Sequence, residues 1–139
     1  MSNGFLGKIK DMLAVEKAVR MVADDPALTA ELILLFRVVL ADGEVSEKEL
    51  AKFREICATA FGIPPEAVHE VGEYLGDISY ETSSQQAADV FADMSAERKQ
   101  LLVEHMLQIA SADHRTTKPE LDLIRAVAAK LGFEVAHVR

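Results

Sequence analysis

Ala41-Asp42-Gly43-Glu44-Val45-Ser46-Glu47-Lys48-Glu49-Leu50 is the stretch from which the fold can be read. Gly43 suits the left-handed position that ends a helix, and Ser46 followed three residues later by Glu49 is a capping box that starts another. The stretch is therefore a joint between two helices. Shifted by 113 − 42 = 71 positions, it falls on Ala112-Asp113-His114-Arg115-Thr116-Thr117-Lys118-Pro119-Glu120-Leu121, with Ala, Asp, Glu and Leu in register. Upstream, Leu35, Phe36 and Val38 fall on Met106, Leu107 and Ile109. Downstream, Phe53, Arg54 and Ile56 fall on Ile124, Arg125 and Val127. The chain reads as two copies of one helix-turn-helix unit.

Composition sets the class. A chain of 139 residues, 50% apolar and 27% charged, is ordinary for one globular domain, taken here as residues 1–139. The net charge of −8 argues against nucleic-acid binding, which relies on Lys and Arg neutralising phosphates. One cysteine forms no intrachain disulfide. The first residues lack the apolar run and cleavage site of a signal peptide, and the run from Leu32 to Ala41 is broken by Arg37 and too short to span a bilayer. A cytoplasmic protein is expected.

The apolar spacing predicts an all-α bundle of about seven helices, the two repeats packed about a pseudo-twofold axis. Asn3 is a candidate cap for an N-terminal amphipathic helix over 1–23. Asp25 and Pro26 open a second helix that is apolar nearly all round from Leu32 to Ala41, as befits a helix surrounded by others. The first repeat spans 26–68, and Gly62 ends its third helix. Pro64-Pro65 opens a short fourth helix, and Gly76 to Tyr80 is predicted as a loop before a fifth helix over Thr82 to Asp93. The second repeat spans 95–138, with Ser95 and Thr117 capping its helices.

The two related turns supply the candidate site. If the halves pack together, Asp42, Glu44 and Glu49 come close to Asp113 and Glu120, and such carboxylates repel unless a cation or a proton intervenes. A hard divalent ion, Ca²⁺ or Mg²⁺, takes oxygen ligands of this kind. Against this stands a purely structural role, in which the aspartates cap their own turns, Glu49 and Glu120 complete capping boxes, and Arg54 and Arg125 neutralise them. The spacing from Asp42 to Glu49 is too short for an EF-hand loop. In the second copy His114, Arg115 and Lys118 replace Gly43, Glu44 and Glu47, which disfavours a second, independent ion site; His114 fits a left-handed turn residue and His105 the edge of the core. Cys57 lies on an apolar stripe, where an inert thiol is expected. No glycine-rich phosphate loop, HExxH, CxxC or Gly-x-Ser-x-Gly motif is present, so no enzymatic activity is expected and no cofactor beyond a divalent cation.

Phe5, Leu6, Ile9, Met12 and Leu13 form an apolar face on the first helix, with Lys8 and Lys10 beside it. Two fates are open for it. Packing onto the bundle is the expected one. Lying on an anionic membrane surface is the other, opposed by the acidic remainder of the chain.

The run from Leu35 to Glu49, with its partner from Ala110 to Leu121, resembles the signature of TerB-like tellurite-resistance proteins, over roughly residues 26–133. The resemblance implies an all-α bacterial domain with a proposed metal-binding role, linked to tellurite and stress resistance and to membrane-associated complexes, and no known reaction. The positions that carry it are Asp42, Gly43, Glu49, Asp113 and Glu120. It points to a non-enzymatic binding module, cytoplasmic or peripheral to the inner membrane, with a protein partner. The alternative is an interaction scaffold without a ligand, its acidic residues only capping helices.

Overall fold

The computed structural model describes residues 2–79 and 82–133. Within them the chain forms seven α-helices and no strand: α1 Ser2–Ala23, α2 Pro26–Leu40, α3 Glu47–Phe61, α4 Val68–Ser79, α5 Ser84–Asp89, α6 Ala96–Ala110 and α7 Lys118–Lys130, with a 3-10 turn Pro65–Ala67 before α4. An all-α fold follows the apolar periodicity. The predicted elements from 134 to 138 and at Tyr80 lie outside the described residues.

The centre is α2. Asp25 caps it, its Oδ1 accepting from the Ala27 and Leu28 amides, and Pro26 fills the first helical position. Leu32, Ile33, Leu34, Leu35, Val38 and Val39 are buried on all sides of the helix, because every other α-helix packs against it. The pairing of α2 with α6 is the most extensive and brings Leu102, Met106 and Ile109 into the same core. Since α2 and α6 each run straight into one acidic turn, their contact fixes where those turns stand.

Four local expectations are corrected. Gly76 to Ser79 is helical, because Val71, Leu75 and Ile78 keep a helical spacing that packs on the core and outweighs the low helix propensity of Gly76. The fifth helix spans only Ser84–Asp89, capped by Ser83 and Gln86; beyond it the amides of Phe91, Ala92 and Met94 bond three residues back, in tight turns. Asn3 lies inside α1, which begins at Ser2, rather than ahead of its first turn. The apolar face from Phe5 to Leu13 does not fold onto the bundle: Phe5 is 71% exposed, Met12 70% and Leu13 60%. Only the second half of α1 docks, through buried Ala18 and Val22 with Val15 and Val19 beside them.

Candidate functional site: the paired acidic turns

Each turn is built by the same local chemistry. Asp42 Oδ1 accepts from the Glu44 amide at 3.0 Å, and Asp113 Oδ1 accepts from the Arg115 amide at 3.0 Å. Gly43 follows at φ 82° and His114 at φ 62°, the left-handed conformation expected of both. Ser46 Oγ then accepts from the Glu49 amide at 3.3 Å, as Thr117 Oγ1 does from Glu120 at 3.4 Å. These caps start α3 and α7 and turn the two glutamates inward.

The copies then diverge. Glu120 completes its capping box, Oε1 accepting from the Thr117 amide at 2.8 Å. The Glu49 side chain does not return to its cap, and no amide, hydroxyl or cationic group donates to its buried Oε1. The same holds for the buried Glu120 Oε2. Both residues are inaccessible, Glu49 at 1% and Glu120 at 0%.

The two glutamates meet each other. Burial pushes the Glu49 carboxyl up to about 9, helped by its hydrogen bond with Glu120 and then by the negative charges of Glu120, Asp113 and Asp42. The structure therefore brings Glu49 and Glu120 together within the field of Asp42 and Asp113, without closing the four acids to within 4.8 Å of one another. A hydrogen bond between two carboxyls needs a proton on one of them. As two carboxylates, Glu49 and Glu120 would present only acceptors to each other. Glu44 and Glu47 are exposed, as are Arg54 and Arg125, neither of which forms an ion pair with the described residues. The neutralising role expected of the two arginines is thus not taken up.

A second buried ionic group was not foreseen. Glu31, wholly buried in α2, meets His105 Nδ1 at 3.0 Å through Oε2 and Arg98 Nη1 at 2.8 Å through Oε1, the latter a close ion pair whose angle falls short of a hydrogen bond. Phe61 stacks edge-on against His105 and Arg98 lies over Phe91. A lone acid in the apolar α2 sequence, opposite a histidine on the apolar stripe of α6, was the available signal. His105 is a core residue, as expected, and Cys57 is fully buried with its thiol pushed up to about 12 by burial, an unreactive state at neutral pH.

One further acidic group stands elsewhere. His69, Glu70 and Glu73 on the exposed side of α4 place ligand atoms within 4.8 Å of one another, and His69 Nε2 lies 2.9 Å from Glu73 Oε1. All three are open to solvent, where such pairs contribute little.

A family model described as tellurite resistance protein TerB matches residues 27–139. Searches of curated proteins and of solved structures gave no match. The matched span is well over half of the chain and contains both acidic turns, so the chain belongs to the tellurite resistance protein TerB family.

Proposed function

We propose that this protein is a non-enzymatic binding module that holds a divalent cation, Ca²⁺ or Mg²⁺, through Asp42, Glu49, Asp113 and Glu120. The observation that carries the reading is the pair of buried oxygens, Glu49 Oε1 and Glu120 Oε2, which no donor from the rest of the described residues reaches and beside which no cationic side chain stands. An all-oxygen donor set suits a hard ion. The four carboxylates stand wider than a closed shell, since the described group with ligand atoms mutually within 4.8 Å is the one on α4. Holding an ion requires them to draw together, which the long glutamate side chains permit.

The reading includes a pseudo-twofold relation between the repeats. Glu31 falls in register on Leu102, by 31 + 71 = 102, and its partners Arg98 and His105 flank Leu102 on one face of α6. Helices related by a twofold axis cross at equivalent residues, and this contact has that form. The axis would run between the turns, so that each half contributes one aspartate and one glutamate.

The test is thermal. Titrating Ca²⁺ or Mg²⁺ into metal-stripped protein is expected to raise the melting temperature, since binding to the folded state alone contributes about 2.7 kcal/mol at a hundredfold excess over Kd. Asp113→Asn is expected to weaken the response. No shift with either ion would overturn the reading. The raised Glu49 carboxyl favours a second reading, in which a proton shared between Glu49 and Glu120 takes the place of the ion and the module is a ligand-free scaffold for a protein partner. No described helix is long and apolar enough to cross a membrane, and a cytoplasmic role in stress resistance remains part of the proposal.

A further inference from the structure

The first half of α1 carries an apolar face that this fold does not use. At about 100° per residue, Phe5, Leu6, Ile9, Met12 and Leu13 occupy a stripe roughly 120° wide. All five are exposed, from 38% at Ile9 to 71% at Phe5. The face by which α1 docks, through Ala18 and Val22 with Val15 and Val19, lies roughly 130° around the helix from that stripe. The stripe therefore turns away from the docking face and adjoins it at Met12, which shares a groove with Val15, Val19, Glu66 and Glu70. It ends at Glu16 and Arg20, an exposed ion pair at 3.1 Å that takes over the same side of the helix.

Charge indicates what covers it. Residues 2–23 hold Lys8, Lys10, Lys17 and Arg20 against Asp11 and Glu16, a net +2, so the rest of the chain carries −8 − 2 = −10. Lys8 and Lys10 fall on opposite borders of the stripe, each placed to lay its methylene stem along the apolar surface and lift its ammonium clear. A basic helix with an apolar face between lysines matches an anionic lipid surface, where buried apolar area and charge attraction act together. A second copy fits less well, because joining two stripes brings together two helices of net +2 and two bodies of net −10. We infer that the Phe5–Leu13 face of α1 docks the protein on anionic lipid.

The experiment is vesicle flotation with the full chain, comparing phosphatidylglycerol-containing vesicles with phosphatidylcholine vesicles. The expected result is retention on the anionic vesicles, weaker retention on the neutral ones, and loss of binding in 0.5 M salt, a concentration of about the order that screens surface charge within a few ångströms. Lys8→Gln with Lys10→Gln is expected to lower partitioning about thirtyfold, and Leu6→Gln with Met12→Gln to abolish it. Neither pair should change the melting temperature, since all four side chains lie outside the core. Full chain that stays in solution with anionic vesicles, or that binds neutral vesicles equally well, overturns the inference. So does a dimer in sedimentation that Leu6→Gln with Met12→Gln dissolves while vesicles capture nothing, which would assign the stripe to a second copy.

Discussion

Replacing Glu49 by glutamine tests the proton that the acidic turns hold. With its carboxyl raised from 4.5 to about 9, Glu49 is protonated in the folded protein at neutral pH and ionised in the unfolded chain. The folded state thus binds the extra proton, and stability falls as pH rises. The contribution is fully present below the unfolded pKa and is lost as pH climbs through the folded one, so the window runs from about 4.5 to about 9. Glutamine has the shape of a protonated glutamate and can donate its amide to the buried Glu120 Oε2, but it does not titrate. Relative to Glu49→Gln, the wild type should lose on the order of 1 kcal/mol per pH unit inside the window, or roughly 3 kcal/mol between pH 6 and 8. For a chain of this size that is roughly 9 °C in melting temperature. Half-buried Asp42 and Asp113 bring solvent to the edge of the cluster, which makes the figure an upper one. Urea denaturation of both proteins at pH 6, 7 and 8 in EDTA measures it. Parallel loss of stability in the two would refute the argument, because the pair would then hold no extra proton.

Three other outcomes follow from buried or strained positions. Glu31→Ala should cost about 3–5 kcal/mol in urea denaturation, since it strips the partner from His105 and Arg98 at the contact of α2 with α6. Gly43→Ala should cost about 1–2 kcal/mol, measured the same way, and the cost is conformational because an added Cβ meets nothing within 4 Å at φ 82°. Cys57 should react with a thiol reagent in native protein only as fast as the fold opens, giving a labelling rate that rises in step with urea-induced unfolding.

The sequence made the helices and the turns legible for a physical reason: both rest on local chemistry. Asp25, Ser46, Ser95 and Thr117 each cap the helix they announce, and Gly43 and His114 both take the left-handed conformation the turn requires. What escaped was decided by packing across the chain. Gly76 looks like a breaker until Leu75 and Ile78 are seen against the core. The Phe5–Leu13 stripe looks like a core face until the docking face of α1 is seen to lie elsewhere on the helix. Glu49 and Glu120 have equivalent capping patterns in sequence, yet only Glu120 completes its box. Their approach to each other depends on how α3 and α7 sit across the bundle, which no local spacing encodes.

The contrast between the buried acids bears on why the cluster exists. Glu31 shows how this fold treats an acid whose role is structural: a histidine on one oxygen and an arginine on the other, both from α6. Such a pair offsets part of the cost of taking a carboxylate out of water. At the turns the opposite arrangement holds. Glu49 and Glu120 are as inaccessible as Glu31, yet each has a further acid for a neighbour, and the arginines that follow them in sequence point to solvent. A capping role for Glu120 uses only one of its oxygens, and Glu49 does not close its box at all. Helix capping therefore accounts for the position of Glu120 but not for the burial of Glu49 against it. Burying both costs stability that hydrophobic residues of similar volume would restore, so the arrangement makes physical sense where the two carboxyls hold a proton between them.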